Sequence, residues 1–276
     1  MTYHGTDFEV VYNHIAGDLI YQPDYTVAGT REILDAKLVV DNIDNPFSAL
    51  RNASLEYALA ELVWYWAGSP EKSFIGKFGA MWNKISDDGF TNNSAYGYVI
   101  KHKHGFNQLN KIIELLTVDK YSRRAVININ VPNRNVIETK DEPCTIALQF
   151  NVRPVDGVDK LFMTAMMRSN DIWYGLPYDI VYFTSLQKYV ARALSLPTGS
   201  YTHFATSLHL YDRNLEDLKN NINFSHLDIN YKIDYLKIAD NAQEYYNDII
   251  KLDKPKKDIL NYMINKGVVT YEEQSD

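Results

Sequence analysis

Cysteine is almost missing from this chain: its 276 residues include one, Cys144. A lone cysteine closes no intrachain disulfide, so packing must hold the fold, and a reducing compartment such as the cytoplasm is the expected home. Long apolar runs are missing too. No stretch reaches about 18 apolar residues, so no membrane span is expected. The first residues, MTYHGTDFEV, have neither a basic nor an apolar leader segment, so no secretory signal is expected. Basic charge is scarce. Lys and Arg number 28 against 35 Asp and Glu, a net charge of −7. Non-specific nucleic-acid binding draws on clustered cations that release counterions, so direct binding to nucleic acid is not expected. A single phosphate is different, because two or three local arginines suffice. Linkers, repeats and low-complexity tracts are absent, which points to one domain over residues 1–276.

What is present reads as mixed helix and strand. Residues 6–20 show helical spacing after a threonine suited to capping. Residues 31–41 fit a strand or a short helix. Residues 52–67 (NASLEYALAELVWYWA) form a long apolar helix, with Asn52 as candidate N-cap and Gly68 as the stop. Glu61 lies inside that apolar run, and a buried carboxylate is costly unless it is paired or used. Residues 106–117 read as a helix, and two more are expected around residues 236–252 and from Pro255 onward. His102-Lys103-His104 lacks a nearby carboxylate or thiol, so a solvated basic face is expected there and no metal site.

The densest chemistry lies between Asp141 and Tyr211. Two alternating runs, TIALQFNV and KLFMTAMM, read as strands. The second leads into Arg168-Ser169-Asn170-Asp171. A Gly175-Leu-Pro-Tyr-Asp179 turn follows, then a helix through Leu196. His209 and Tyr211 stand two apart on an alternating segment, so they share a face. A nucleophile, an anion-binding arginine, carboxylates and a His/Tyr pair make a catalytic inventory.

Pro143-Cys144, Gln149-Phe150, Arg168-Ser169-x-Asp171, Gly175-Leu-Pro-Tyr-Asp179 and His209-Leu-Tyr211 occur in one order and spacing. In these motifs the chain resembles the thymidylate synthase and deoxycytidylate hydroxymethylase superfamily. The resemblance reaches upstream to Glu61 and Ser122-Arg123-Arg124, and fades beyond Tyr211. It implies an α+β fold in which a large mixed β-sheet is flanked by helices. It further implies a homodimer acting on a pyrimidine nucleoside monophosphate, with 5,10-methylenetetrahydrofolate as co-substrate and no metal.

On this resemblance Cys144 adds to C6 of the base, activated by the nearby Arg168 cation. Arg168 and Ser169 hold the phosphate. Arg123 and Arg124 reach the partner's nucleotide across the dimer interface. His209 and Tyr211 bind the sugar hydroxyl, Tyr96 lies beside the base, and Asp171 and Trp82 hold the folate. Glu61 organises the waters that move protons. Arg31 is the candidate for a further phosphate contact, although it follows Gly29 where the family's arginine should precede it.

Asp179 decides the base. Synthases acting on uracil carry asparagine there, whose amide complements N3–H and O4. An ionised carboxylate instead accepts from the cytosine amine and from N3 once N3 is protonated. The competing reading makes Asp179 a helix cap. Glu142, Thr145 and Met167 depart from the synthase pattern around the base and phosphate. The final residues, YEEQSD, lack the apolar tail that typically closes synthase sites, which favours water as the final reactant and a hydroxymethyl product. The expected activity is dCMP hydroxymethylation, in a host cytoplasm if the chain is phage-encoded. The alternatives are methylation of dUMP or dCMP, and a catalytically silent nucleotide- or RNA-binding relative.

Overall fold

The computed structural model describes residues 1–44, 46, 53–130, 138–222 and 231–271. Asn52 and the final residues 272–276, which include the expected tail, lie outside them. No helix among the described residues is long and apolar enough to cross a membrane.

The chain opens with β1 (Thr2–Gly5), α1 (Phe8–Tyr21), β2 (Tyr25–Val27) and β3 (Thr30–Val40). Asp7 rather than Thr6 precedes α1, and its side chain accepts from Asn42 instead of from the helix. The 31–41 segment resolves as a strand. Its β-branched and aliphatic residues fill alternate buried positions, which suits a pleated surface better than a helix. Further on come β4 (Val126–Asn128), β5 (Thr145–Val155), β6 (Val158–Met167) and β7 (Asn170–Asp171). After β7 come α7 (Leu176–Ala193) and β8 (Thr198–Tyr211). These eight strands form one mixed sheet ordered β1-β3-β8-β6-β5-β4, with β2 paired to β3 and β7 to β8.

β5 and β6 form an antiparallel hairpin closed at Asp156-Gly157, both with positive φ, as a tight two-residue turn requires. β6 and β8 run parallel, with α7 as the crossover. Gln187 of α7 is fully buried and donates to the carbonyls of Leu161 and Gly199, each at 2.9 Å, which pins the helix to both strands. Tyr12 of α1 donates to Ile172 O at 2.8 Å, just past β7.

The described chain groups into two compact units. Unit 1 comprises residues 1–53, 113–126 and 144–229; unit 2 comprises 54–112, 127–143 and 230–276. Unit 2 centres on α2 (Leu55–Ala67), with α3 (Lys72–Ile75), α4 (Met81–Lys84) and α5 (Tyr96–Lys101) following. Helix α6 (Gln108–Val118) runs on from unit 2 into unit 1. A short α8 (Leu215–Asn221) follows β8 in unit 1. Unit 2 then closes with β9 (Tyr231–Ile233), α9 (Tyr235–Ile249), α10 (Pro255–Asn265) and β10 (Val269–Tyr271), where β9 and β10 pair antiparallel.

Helix α2 is capped by Ser54 and not by the expected Asn52: the Ser54 hydroxyl accepts from Tyr57 N, and the helix stops, as expected, at Gly68 in the left-handed region. It is buried nearly all round, so its side chains and backbone must find partners inside the protein. Gly97 shows how closely α5 approaches it. A Cβ at Gly97 would lie 1.7 Å from the Tyr65 carbonyl oxygen. Gly97→Ala is therefore expected to destabilise the protein by about 1–3 kcal/mol or more, as overpacking against fixed backbone does. A denaturant melt of the variant checks this; an unchanged midpoint would contradict it.

Candidate active site

In unit 1 the hairpin and β8 assemble most of the candidate residues. Cys144 immediately precedes β5 and is partly exposed. Its carbonyl accepts the Arg168 amide N–H at 2.9 Å, so the cysteine and the arginine stand side by side where β5 begins and β6 ends. Arg168 is exposed, and its backbone is held by that bond. The neighbourhood of the two residues has a backbone cause: antiparallel register brings Thr145 opposite Met167.

Ser169 lies beside His209, with its Oγ 3.3 Å from Nδ1. Register pairs Asp171 with His209 on the parallel strands β7 and β8. His209 and Tyr211 share a face as expected, their rings 5.2 Å apart and perpendicular. The Arg213 guanidinium stacks on Tyr211 at 4.1 Å. Asp171 Oδ1 accepts from the amides of Trp173 and Tyr174, at 2.7 and 3.3 Å, which shapes the turn into α7.

Asp179 is not a helix cap. α7 begins four residues earlier than the capping reading requires, at Leu176, with Pro177 in its first turn where a missing N–H costs nothing. Asp179 sits inside that turn, half-buried, and its Oδ2 accepts from Asn170 Nδ2 at 2.7 Å. Gly175 makes room: a Cβ there would approach Asn170 Nδ2 at 3.0 Å and Asp179 Oδ2 at 3.3 Å. Burial, with a smaller push from the Asp171 charge, lifts the Asp179 carboxyl to about 7, against the opposing Asn170 bond. Behind it, Tyr201 and His203 are fully buried and joined by a 2.9 Å hydrogen bond. Burial holds His203 neutral, its pKa down to about 3.

Arg123 and Arg124 lie exposed beyond Ser122, with Arg124 loosely paired to Asp119 at 3.4 Å. Gln149 donates to the Arg123 carbonyl at 3.2 Å, which fixes that turn against β5. Arg31 is turned inward: it donates to Ile20 O at 2.8 Å and lies 3.6 Å from Asp212. That engagement suits a structural tie within unit 1 better than a phosphate contact.

Unit 2 holds Glu61, Trp82 and Tyr96. Glu61 is buried, at 7% exposure, and its Oε1 accepts from the Tyr57 hydroxyl at 2.7 Å. Trp82 Nε1 donates to that same hydroxyl at 2.8 Å. Trp82 packs edge-on to Trp64, Trp64 stacks on Tyr65, and Tyr65 stacks on Tyr96, each with ring centres 5.0–5.3 Å apart. The segment leading to Pro143-Cys144 is anchored here too. Asp87 accepts from Lys140 N and Thr139 Oγ1, and buried Asp141 accepts from Ser94 N and Oγ. Among the described residues no three His, Cys, Asp or Glu side chains gather to hold a metal.

Sequence reasoning missed Asn170 and Tyr57. Tyr57 had a usable signal, lying four residues before Glu61 on one helix face. Asn170 had none, because its partner lies across a turn.

The fold places the chain among known proteins. Thermostable thymidylate synthase A from Bacillus subtilis superposes with a TM-score of 0.66 over 81% of this chain and 86% of that one, at 23% identity. A family model described as thymidylate synthase matches residues 6–260. The chain belongs to the thymidylate synthase family. Among curated proteins it is similar to a deoxyuridylate hydroxymethyltransferase of Pseudomonas phage M6, 32% identical over 168 residues. That match covers 60% of this chain and 47% of the phage protein. It is also similar to one of Bacillus phage SP01, 27% identical, covering 76% of this chain and 58% of that protein. The chain thus spans about half the length of these relatives.

Proposed function

We propose that this chain is a folate-dependent one-carbon transferase that converts dCMP to its 5-hydroxymethyl derivative. The observation that carries the base assignment is Asp179, a carboxyl held by Asn170 and lifted to about 7. In its protonated form it donates to cytosine N3 while its other oxygen accepts from the C4 amine. When the Cys144 thiolate adds to C6, the proton passes to N3, and the ionised carboxylate then accepts from both nitrogens. No net charge builds up on the base, and C5 becomes nucleophilic.

The other roles follow the family resemblance. Methylenetetrahydrofolate supplies the one-carbon unit. The accepting carboxyl of Asp171 and the flat apolar face of Trp82 suit a pterin that offers N–H donors. Arg168 and Ser169 bind the phosphate, His209 and Tyr211 the sugar hydroxyl, and Tyr96 lines the base. Arg123 and Arg124, exposed on their turn, reach the nucleotide of a partner subunit in a homodimer. Glu61 directs proton transfer through ordered water. Residues 1–276 are taken as one catalytic domain. Water completes the product, a reading supported by similar phage proteins that carry the hydroxymethyltransferase name.

A second reading takes dUMP as the base substrate. The names of those relatives favour it, and a protonated Asp179 also complements uracil N3–H and O4. Incubation with methylenetetrahydrofolate and either dCMP or dUMP, followed by product mass, separates the readings. Hydroxymethyl-dCMP with no dUMP product supports the first; turnover of dUMP alone removes it. A methyl product, with dihydrofolate released, would reassign the final step.

The acid role of Asp179 predicts a pH profile. The competent form carries the proton, which is present below the raised pKa and lost above it. For dCMP, kcat/KM is expected to fall about tenfold per pH unit above about 7. A profile still rising to pH 9 would contradict this.

A further inference from the structure

Tyr57 forms the centre of a three-residue chain. Its hydroxyl receives the Trp82 indole N–H at 2.8 Å and donates to Glu61 Oε1 at 2.7 Å. The polarity of this chain is fixed by chemistry. An indole nitrogen only donates, so the phenol oxygen must accept from Trp82, and its single proton must point to Glu61. Oε1 of Glu61 is therefore an acceptor in the resting arrangement. The space for the phenol is built in at Gly79. A Cβ there would meet the Tyr57 ring at 2.9 Å and the Trp82 ring at 3.2 Å. The indole is further fixed by its edge contact with Trp64, on the same helix as Tyr57 and Glu61.

We propose that Tyr57 is a positioning residue that locks Glu61 and Trp82 into one unit and holds the Glu61 carboxylate in one orientation. A glutamate side chain ordinarily rotates freely about its last bond, and both oxygens exchange protons. Here a partial rotation would weaken the charge-assisted bond from the phenol, so the carboxylate keeps one plane. Locking the carboxylate preorganises the group that directs proton transfer, so it contributes to rate and little to nucleotide binding. The inference rests on the proposed role of Glu61 in proton transfer.

The test is Tyr57→Phe, with kinetics normalised to active sites titrated by a 5-fluoropyrimidine nucleotide and methylenetetrahydrofolate. The expected result is a kcat per site about 10- to 100-fold lower, with the nucleotide KM within about threefold of wild type, the pattern of a lost proton-transfer contribution. A merely structural role would lower the number of titratable sites and leave the rate per site unchanged, which would overturn the proposal. Glu61→Gln is run beside it. If Glu61→Gln turns over like wild type, the reading of Glu61 fails and the inference with it. If Glu61→Gln is inactive while Tyr57→Phe matches wild type per site, the inference alone fails. Should Tyr57→Phe not fold, Trp82→Phe removes the indole donor and frees the phenol to rotate. A kcat reduced at saturating methylenetetrahydrofolate, with the KM values for nucleotide and folate both unchanged, then supports the lock, and a wild-type kcat overturns it.

Discussion

Cys144→Ser is expected to lower turnover by at least ~10³-fold while nucleotide affinity stays within about threefold, because a neutral hydroxyl is a far poorer nucleophile than a thiolate. The substitution is nearly isosteric. The backbone bond from Arg168 N to Cys144 O does not involve the side chain, so the serine oxygen would stand where the sulfur stood. The proposed phosphate and sugar groups, Arg168, Ser169, His209 and Tyr211, are untouched. Equilibrium binding of dCMP by calorimetry, beside a turnover assay, separates the two quantities. Wild-type turnover in the serine variant would remove covalent catalysis from the account. Loss of binding together with turnover would point to a structural role for the thiol.

Asp179→Asn is expected to reverse the choice of base. An amide can hydrogen-bond uracil N3–H and O4, and by flipping it can face cytosine, but it has no proton to give to N3. The kcat/KM for dCMP should fall by ~10²–10⁴-fold, the usual scale of a lost general acid. For dUMP the amide is the complementary group, so the ratio between the two substrates should shift by about 10³-fold or more, as in sites built around specific hydrogen bonds. The Asn170 contact bears on the outcome. In the variant, Asn170 Nδ2 needs an oxygen facing it, and this fixes the new amide with its NH₂ on the other side. Competition between dCMP and dUMP in one reaction reads the ratio directly. An unchanged preference for dCMP would show that another residue selects the base.

Much of this site was legible because it is written in short local patterns. Alternation marked β5, β6 and β8, and the two-residue spacing of His209 and Tyr211 gave their common face. The apolar surroundings of Glu61 marked it as a carboxylate needing a partner, and Tyr57 supplies one. Boundaries and distant pairings were less legible. The start of α7 was misplaced because Gly175-Leu176-Pro177 reads as a turn, although proline is well tolerated in a first helical turn. The parallel pairing of β6 with β8 depends on the crossover through α7, which no local pattern encodes. The Asn170–Asp179 bond, the buried Tyr201–His203 pair and the Asp141–Ser94 anchor all join residues whose closeness only the fold creates. Arg31 shows the converse: a residue type suited to phosphate is engaged by a carbonyl and a carboxylate of its own unit.

The central claim is that Cys144 adds covalently to C6 of a cytosine nucleotide. Fluorine at C5 cannot leave as the proton does, so 5-fluoro-dCMP with methylenetetrahydrofolate should stall at the covalent stage. Peptide mass mapping after parallel incubation with 5-fluoro-dCMP and 5-fluoro-dUMP tests the claim most directly. The account predicts a peptide containing Cys144 that carries nucleotide and folate mass with 5-fluoro-dCMP, and less of it with 5-fluoro-dUMP. An unmodified Cys144 with both nucleotides, in protein that turns over its normal substrate, would contradict it.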